Sequence, residues 1–130
     1  MTSKMTVVLP LFCGAAILLG VAVAYAQEPL PGPQPVNVAG KWTLSCRNWD
    51  GAPDTKTIEL KQNGNEITGH FKGPDQSGGL QGTVNGRHIM FRTKTRTVLT
   101  FRGPVEGDTM ELTYHVRGKQ GECQGHRTNP

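Results

Sequence analysis

Leu80-Gln81-Gly82-Thr83-Val84-Asn85-Gly86-Arg87-His88-Ile89-Met90-Phe91 is the stretch that decides the fold. Apolar side chains alternate with polar ones on both sides of Asn85-Gly86, the period of a half-buried strand. Asn-Gly between two such runs is a strong hairpin signal, because type I′ turns need positive φ at both central residues. The same unit recurs outward in both directions. Asn63-Gly64 is a second hairpin turn, and Glu106-Gly107 and Gly118-Lys119 are weaker ones. Gly64, Gly86 and Gly107 return at intervals of 22 and 21 residues, so a hairpin-sized unit repeats.

Each turn predicts a register. About Asn63-Gly64, Leu60 meets Ile67 and Ile58 meets Gly69; about Asn85-Gly86, Leu80 meets Phe91 and Gly82 meets Ile89. About Glu106-Gly107, Phe101 meets Leu112 and Leu99 meets Tyr114; about Gly118-Lys119, Tyr114 meets Cys123 and Val116 meets Gly121. In all four, apolar face meets apolar face, as alternation requires. The opposite parity is polar: Thr57, Glu59 and Lys61; His88, Arg92 and Lys94; Glu111, Thr113 and His115. No helical period outlasts a turn after Gly40. The reading is all-β: an eight-stranded antiparallel up-and-down meander closed into a small barrel, which removes sheet edges.

The ends of the chain read differently. Lys4, an apolar run from Val7 to about Val23 and Ala24-Tyr25-Ala26 have the three parts of a secretory signal, so residues 1–26 are expected to be cleaved. The mature chain then carries +3 against +4 for the whole, mildly basic and unlike a dedicated nucleic-acid binder. No later segment is apolar enough to span a bilayer, and the expected location is periplasmic or secreted. Residues 27–38, with Pro29, Pro31, Pro33 and Pro35, read as an extended arm. Residues 39–128 form the barrel domain. Two cysteines survive cleavage, Cys46 and Cys123, and an exported pair reads first as a disulfide. Neither has a metal-ligand partner at binding spacing, so no metal is expected.

Gly40-Lys41-Trp42 opens the first strand and Arg127 closes the last. In this the chain resembles the calycin superfamily of eight-stranded barrels, which includes lipocalins, fatty-acid-binding proteins and avidins. The resemblance implies that Trp42 and Arg127 pack together at the closed end. Paired positions of the first and last strands would then sum to 169. Cys46 and Cys123 share that sum, so the same register sets them opposite each other, with Leu44 facing Gly125. Trp42 and Trp49 are the only tryptophans, so an avidin-type tryptophan set is missing and the resemblance implies fold rather than ligand.

Function is the less legible part. The tight turns share the end that holds Trp42; the longer loops, 47–54 and 72–79, lie at the other end with Lys94-Thr95-Arg96 and Gly118-Lys119. Small barrels usually bind at a loop-bearing mouth. Trp49, Lys94, Arg96 and Lys119 are therefore the candidate ligand contacts, Trp49 reading equally as a lid on the core. Arg87, Arg92, Lys94, Arg96 and Arg102 form a basic stretch, either a solvated face or a site for an anionic polymer or lipid headgroup. His70, His88, His115 and His126 fall on outward parity, with Glu122 expected opposite His115 and Glu111 opposite His126. No nucleophile triad or phosphate loop is discernible, so no enzyme and no cofactor are expected. The leading function is a binding module for a small apolar or aromatic ligand. The alternatives are a protein partner, as in calycin-like periplasmic protease inhibitors that insert an N-terminal arm, and an envelope structural role.

Overall fold

Eight antiparallel strands follow one another around a closed ring: β1 (Gly40–Arg47), β2 (Pro53–Asn63), β3 (Glu66–Lys72), β4 (Ser77–Asn85), β5 (His88–Lys94), β6 (Thr100–Glu106), β7 (Thr109–Val116) and β8 (Lys119–Thr128). This computed structural model describes residues 34–128. The expected signal segment, 1–26, and arm residues 27–33 lie outside the described residues.

Strands β1 and β8 close the ring in the register that the resemblance implied. Trp42 faces Arg127, Leu44 faces Gly125 and Cys46 faces Cys123. The two cysteines form a disulfide, with Cα atoms 3.9 Å apart across 77 positions of sequence.

The hairpin registers differ from expectation by two. Leu60 pairs with Gly69 and Ile58 with Phe71; Gly82 pairs with Phe91 and Val84 with Ile89. Phe101 pairs with Tyr114, and Leu112 with Cys123. The reason lies in the turns. Gly64, Gly86 and Gly107 have positive φ and stand first in their two-residue loops, while Asn65, Arg87 and Asp108 do not share it. That is the type II′ pattern rather than type I′. The fourth loop is Arg117-Gly118, with φ of 50° and 79°, a true double-positive turn one residue earlier than expected. Moving a turn axis by one residue changes pair sums by two, so every side chain keeps its face. The expected histidine–glutamate pairs do not form: His115 faces Gln120 and His126 faces Thr109 and Thr43.

The interior is filled. Phe91 stacks on Phe101 with ring centroids 4.8 Å apart, and Phe71 and Tyr114 pack against the same ring at 6.0 and 5.3 Å. The inward glycines do not leave a hollow. A Cβ on Gly103 would lie 1.8 Å from the Glu111 carbonyl oxygen, so this position permits close strand coiling. At Gly121 the space is taken by the Tyr114 ring, and at Gly125 by Met110 and Leu44.

The tight-turn pole is sealed by residues that precede β1. Val38 is fully buried and Val36 packs against the core. The Gln62 side chain imitates a strand edge, accepting from Val38 N (2.7 Å) and donating to Val36 O (2.9 Å). Trp42 Nε1 donates to Val38 O (2.9 Å). Arg127 lies over the Trp42 ring, 4.5 Å from its centroid, and donates to Asp108, Asn37, Gly107 and Ala39. One side chain thus satisfies carbonyls from two segments while covering an indole that has no exposure.

Candidate functional site

Four loops, 48–52, 73–76, 95–99 and 117–118, ring the opposite pole. Local hydrogen bonds set their shapes. Asn48 N donates to Ala52 O and Gly51 N to Asn48 O, both at 2.8 Å, with Gly51 at φ +88°. Arg47 Nη1 donates to Gly51 O at 2.9 Å. Gln76 ties two loops together, donating to Thr97 O (2.7 Å) and accepting from Thr97 N (3.1 Å). Below it the buried Thr93 hydroxyl accepts from Leu99 N at 2.9 Å.

These loops enclose a recess of about 260 Å³. Buried Phe71, Leu99 and Tyr114 form its apolar floor, and Trp49, Arg96 and Thr97 line it from the rim. Trp49 is 58 % exposed, which places it on the rim and not as a lid on the core. Lys119 Nζ sits 4.3 Å from the Trp49 ring centroid, a cation–π contact that orients the indole.

A polar group is set into this floor. Lys56 is a cation at 4 % exposure. Burying a charge without a partner is costly, and here the Nζ donates to Asp54 Oδ1 at 2.6 Å and lies 4.9 Å from the Tyr114 ring centroid. The Tyr114 hydroxyl donates to Asn48 Oδ1. Burial, then the Asp54 and Asp50 charges, push the Tyr114 phenol above its ordinary pKa, so it remains a neutral donor.

Of the residues read from the sequence, Trp49 and Arg96 line the recess, and Lys119 joins them through the indole. Lys94 does not: it is an exposed side chain on the outer face of β5, opposite Gly79. Trp42, Arg127, Cys46 and Cys123 lie in the closure described above. Lys56, Asp54 and Asn48 were missed. Lys56 shares the inward parity of Ile58 and Leu60, and that parity was the available signal.

The basic stretch lies mostly on the outer wall. Arg92, Lys94 and Arg102 are exposed, and none takes part in an ion pair among the described residues. A larger, open hollow of about 830 Å³ also lies outside the barrel, where outward side chains such as Arg47, Thr55, Arg102, Glu111 and Glu122 border a saddle in the sheet.

No family model matches the chain. A 59-residue part is 37% identical to the membrane cofactor protein of Saguinus mystax, covering 39% of this chain and 21% of that protein. The Saguinus oedipus protein of the same name matches at 37% over 59 residues, 16% of its length. The chain spans about a fifth or less of the length of the curated relatives it matches. Among solved structures, it is similar to a REP1-NXSQ fatty acid transporter, with TM-score 0.49 and 16% identity over 72% of this chain and 97% of that one. It is also similar to a Schistosoma mansoni fatty acid binding protein in complex with arachidonic acid, with TM-score 0.47 and 16% identity over 70% of this chain and 96% of that one.

Proposed function

We propose that this chain is an exported, non-enzymatic binding barrel that holds a small apolar or aromatic ligand in the mouth recess. One observation carries the reading. The interior is packed with aromatic rings, yet a recess floored by the buried Phe71, Leu99 and Tyr114 stays open between the mouth loops beside an exposed tryptophan. The volume of about 260 Å³ is just below the usual range for ligand sites, roughly 300–1,000 Å³. A ligand of one or two rings suits it, and a long chain threaded through the barrel does not. Asn48 and the Lys56–Asp54 pair supply polar contacts at the edge of the floor, with Arg96 on the rim. The export component rests on the leader-like N-terminus and on the disulfide, a bond that persists in oxidising compartments.

The test is calorimetric titration of the mature protein with a panel of single-ring and fused-ring compounds, indole and naphthol among them. Saturable binding is expected, with quenching of Trp49 emission. Leu99→Trp should fill the recess and abolish binding while the barrel remains folded. Absence of saturable binding across the panel, or binding unchanged by Leu99→Trp, would overturn the reading.

A further inference from the structure

The mouth rim has a second property, which does not depend on a ligand in the recess. Its loops present two large apolar side chains to solvent: Trp49, 58 % exposed, and Val98, 45 % exposed. They stand on separate loops that both border the recess. Around them are exposed Arg96, Arg117 and Lys119. Arg117 Nη2 donates to Thr97 Oγ1 at 3.3 Å, which links its loop to the one carrying Val98. Asp50 and Asp75 are the only acids on the four loops, and Asp54 just below is held by Lys56. Arg47, Lys72 and Lys94, at the strand ends next to the loops, add three exposed cations against Glu122. The other pole has no such excess. Glu66, Glu106 and Asp108 at its turns balance Lys41, Arg87 and Arg127, two of them in ion pairs.

We propose that this rim is a membrane-docking surface that seats on an anionic lipid headgroup layer. Trp49 and Val98 enter the interface, and Arg96, Arg117 and Lys119 meet the phosphates. Tryptophan favours the headgroup level because its ring is apolar and its N–H is polar. Clustered cations add attraction to anionic lipid. Apolar side chains on separate tips, with a recess between them, do not make the continuous apolar patch that the core of a protein–protein interface needs. A headgroup layer accepts separate tips. The cation held over the Trp49 ring by Lys119 brings charge and indole to the same point of the surface.

The experiment is vesicle flotation with the mature protein and no added ligand. Vesicles of phosphatidylglycerol and phosphatidylcholine are compared with phosphatidylcholine alone, at low and high salt. Trp42 has no exposure, so any blue shift, or quenching by brominated lipid, reports Trp49. Flotation with the anionic vesicles, a blue shift and loss at high salt are expected. Each rim cation removed should weaken binding about fivefold, and Arg96→Gln with Arg117→Gln and Lys119→Gln together about a hundredfold. Trp49→Ser should weaken it by roughly tenfold or more. Arg92→Gln with Arg102→Gln, on the outer wall, should leave it nearly unchanged. Three results would overturn the proposal: no flotation with anionic vesicles, flotation that survives the triple rim change, or binding competed away by soluble polyphosphate with Trp49 emission unmoved. The last would assign the cations to a soluble polyanion.

Discussion

Replacing both Cys46 and Cys123 by alanine removes the covalent closure between β1 and β8 but leaves their paired register. The cysteines are 77 positions apart. In the chain-entropy account a closed loop of that length removes about 4.5 kcal/mol of freedom from the unfolded chain. Alanine is chosen because both sites are nearly fully buried and a serine hydroxyl there would add its own desolvation cost. For a domain of this size, 1 kcal/mol moves the melting midpoint by about 4–8 °C, so the expected fall is about 20–35 °C. Thermal unfolding followed by far-ultraviolet circular dichroism measures it. Reduction of the native protein should give the same midpoint as the double variant, since both act on the unfolded chain. A native strand spectrum should persist below the midpoint, because seven residue pairs still join β1 to β8. A fall of less than about 5 °C in both samples would refute the argument that the bridge matters through loop closure.

Three further outcomes can be checked on the same protein. Arg127→Ala should cost about 2–4 kcal/mol in urea unfolding, through loss of the indole contact and of charged hydrogen bonds to Asp108 and to the sealing segment. Gly103→Ala should destabilise by about 3 kcal/mol or more, or prevent folding, because its Cβ would meet the backbone oxygen of Glu111 at 1.8 Å. The Tyr114 phenol has a folded pKa above its unfolded value, so the unfolded chain releases that proton first as pH rises. Its contribution is complete below about pH 10 and falls as pH climbs beyond that, so unfolding titrations should show a stability loss above pH 10 that Tyr114→Phe reduces.

How far the fold is legible depends on which property is read. Face parity is legible everywhere, because a period of two survives a misplaced turn. Register is not, because Asn63-Gly64 is compatible with two turns. One places asparagine first with positive φ at both residues; the other places glycine first with positive φ there alone. The neighbours do not decide between them, and the chain takes the second. The β1–β8 register is legible because two independent pairs, Trp42 with Arg127 and Cys46 with Cys123, share one sum. Val36 and Val38 continue the parity of Trp42 into the proline-rich segment, but prolines drew that segment into the arm. Lys56 was hidden by its charge: an ammonium on an inward position contradicts the usual burial of lysine until its carboxylate partner is seen.

The first residue of β1 and the last of β8 both lie at the pole sealed by Arg127, opposite the loops. An even number of strands, each reversing direction, returns the chain to the pole where it started. Any tether attached before Gly40 or after Thr128 therefore pulls from the back of the barrel and leaves Trp49 facing outward. Immobilising the protein on a sensor surface through a residue introduced at Gln34 or Thr128 would present the recess and its rim to the bulk in one orientation.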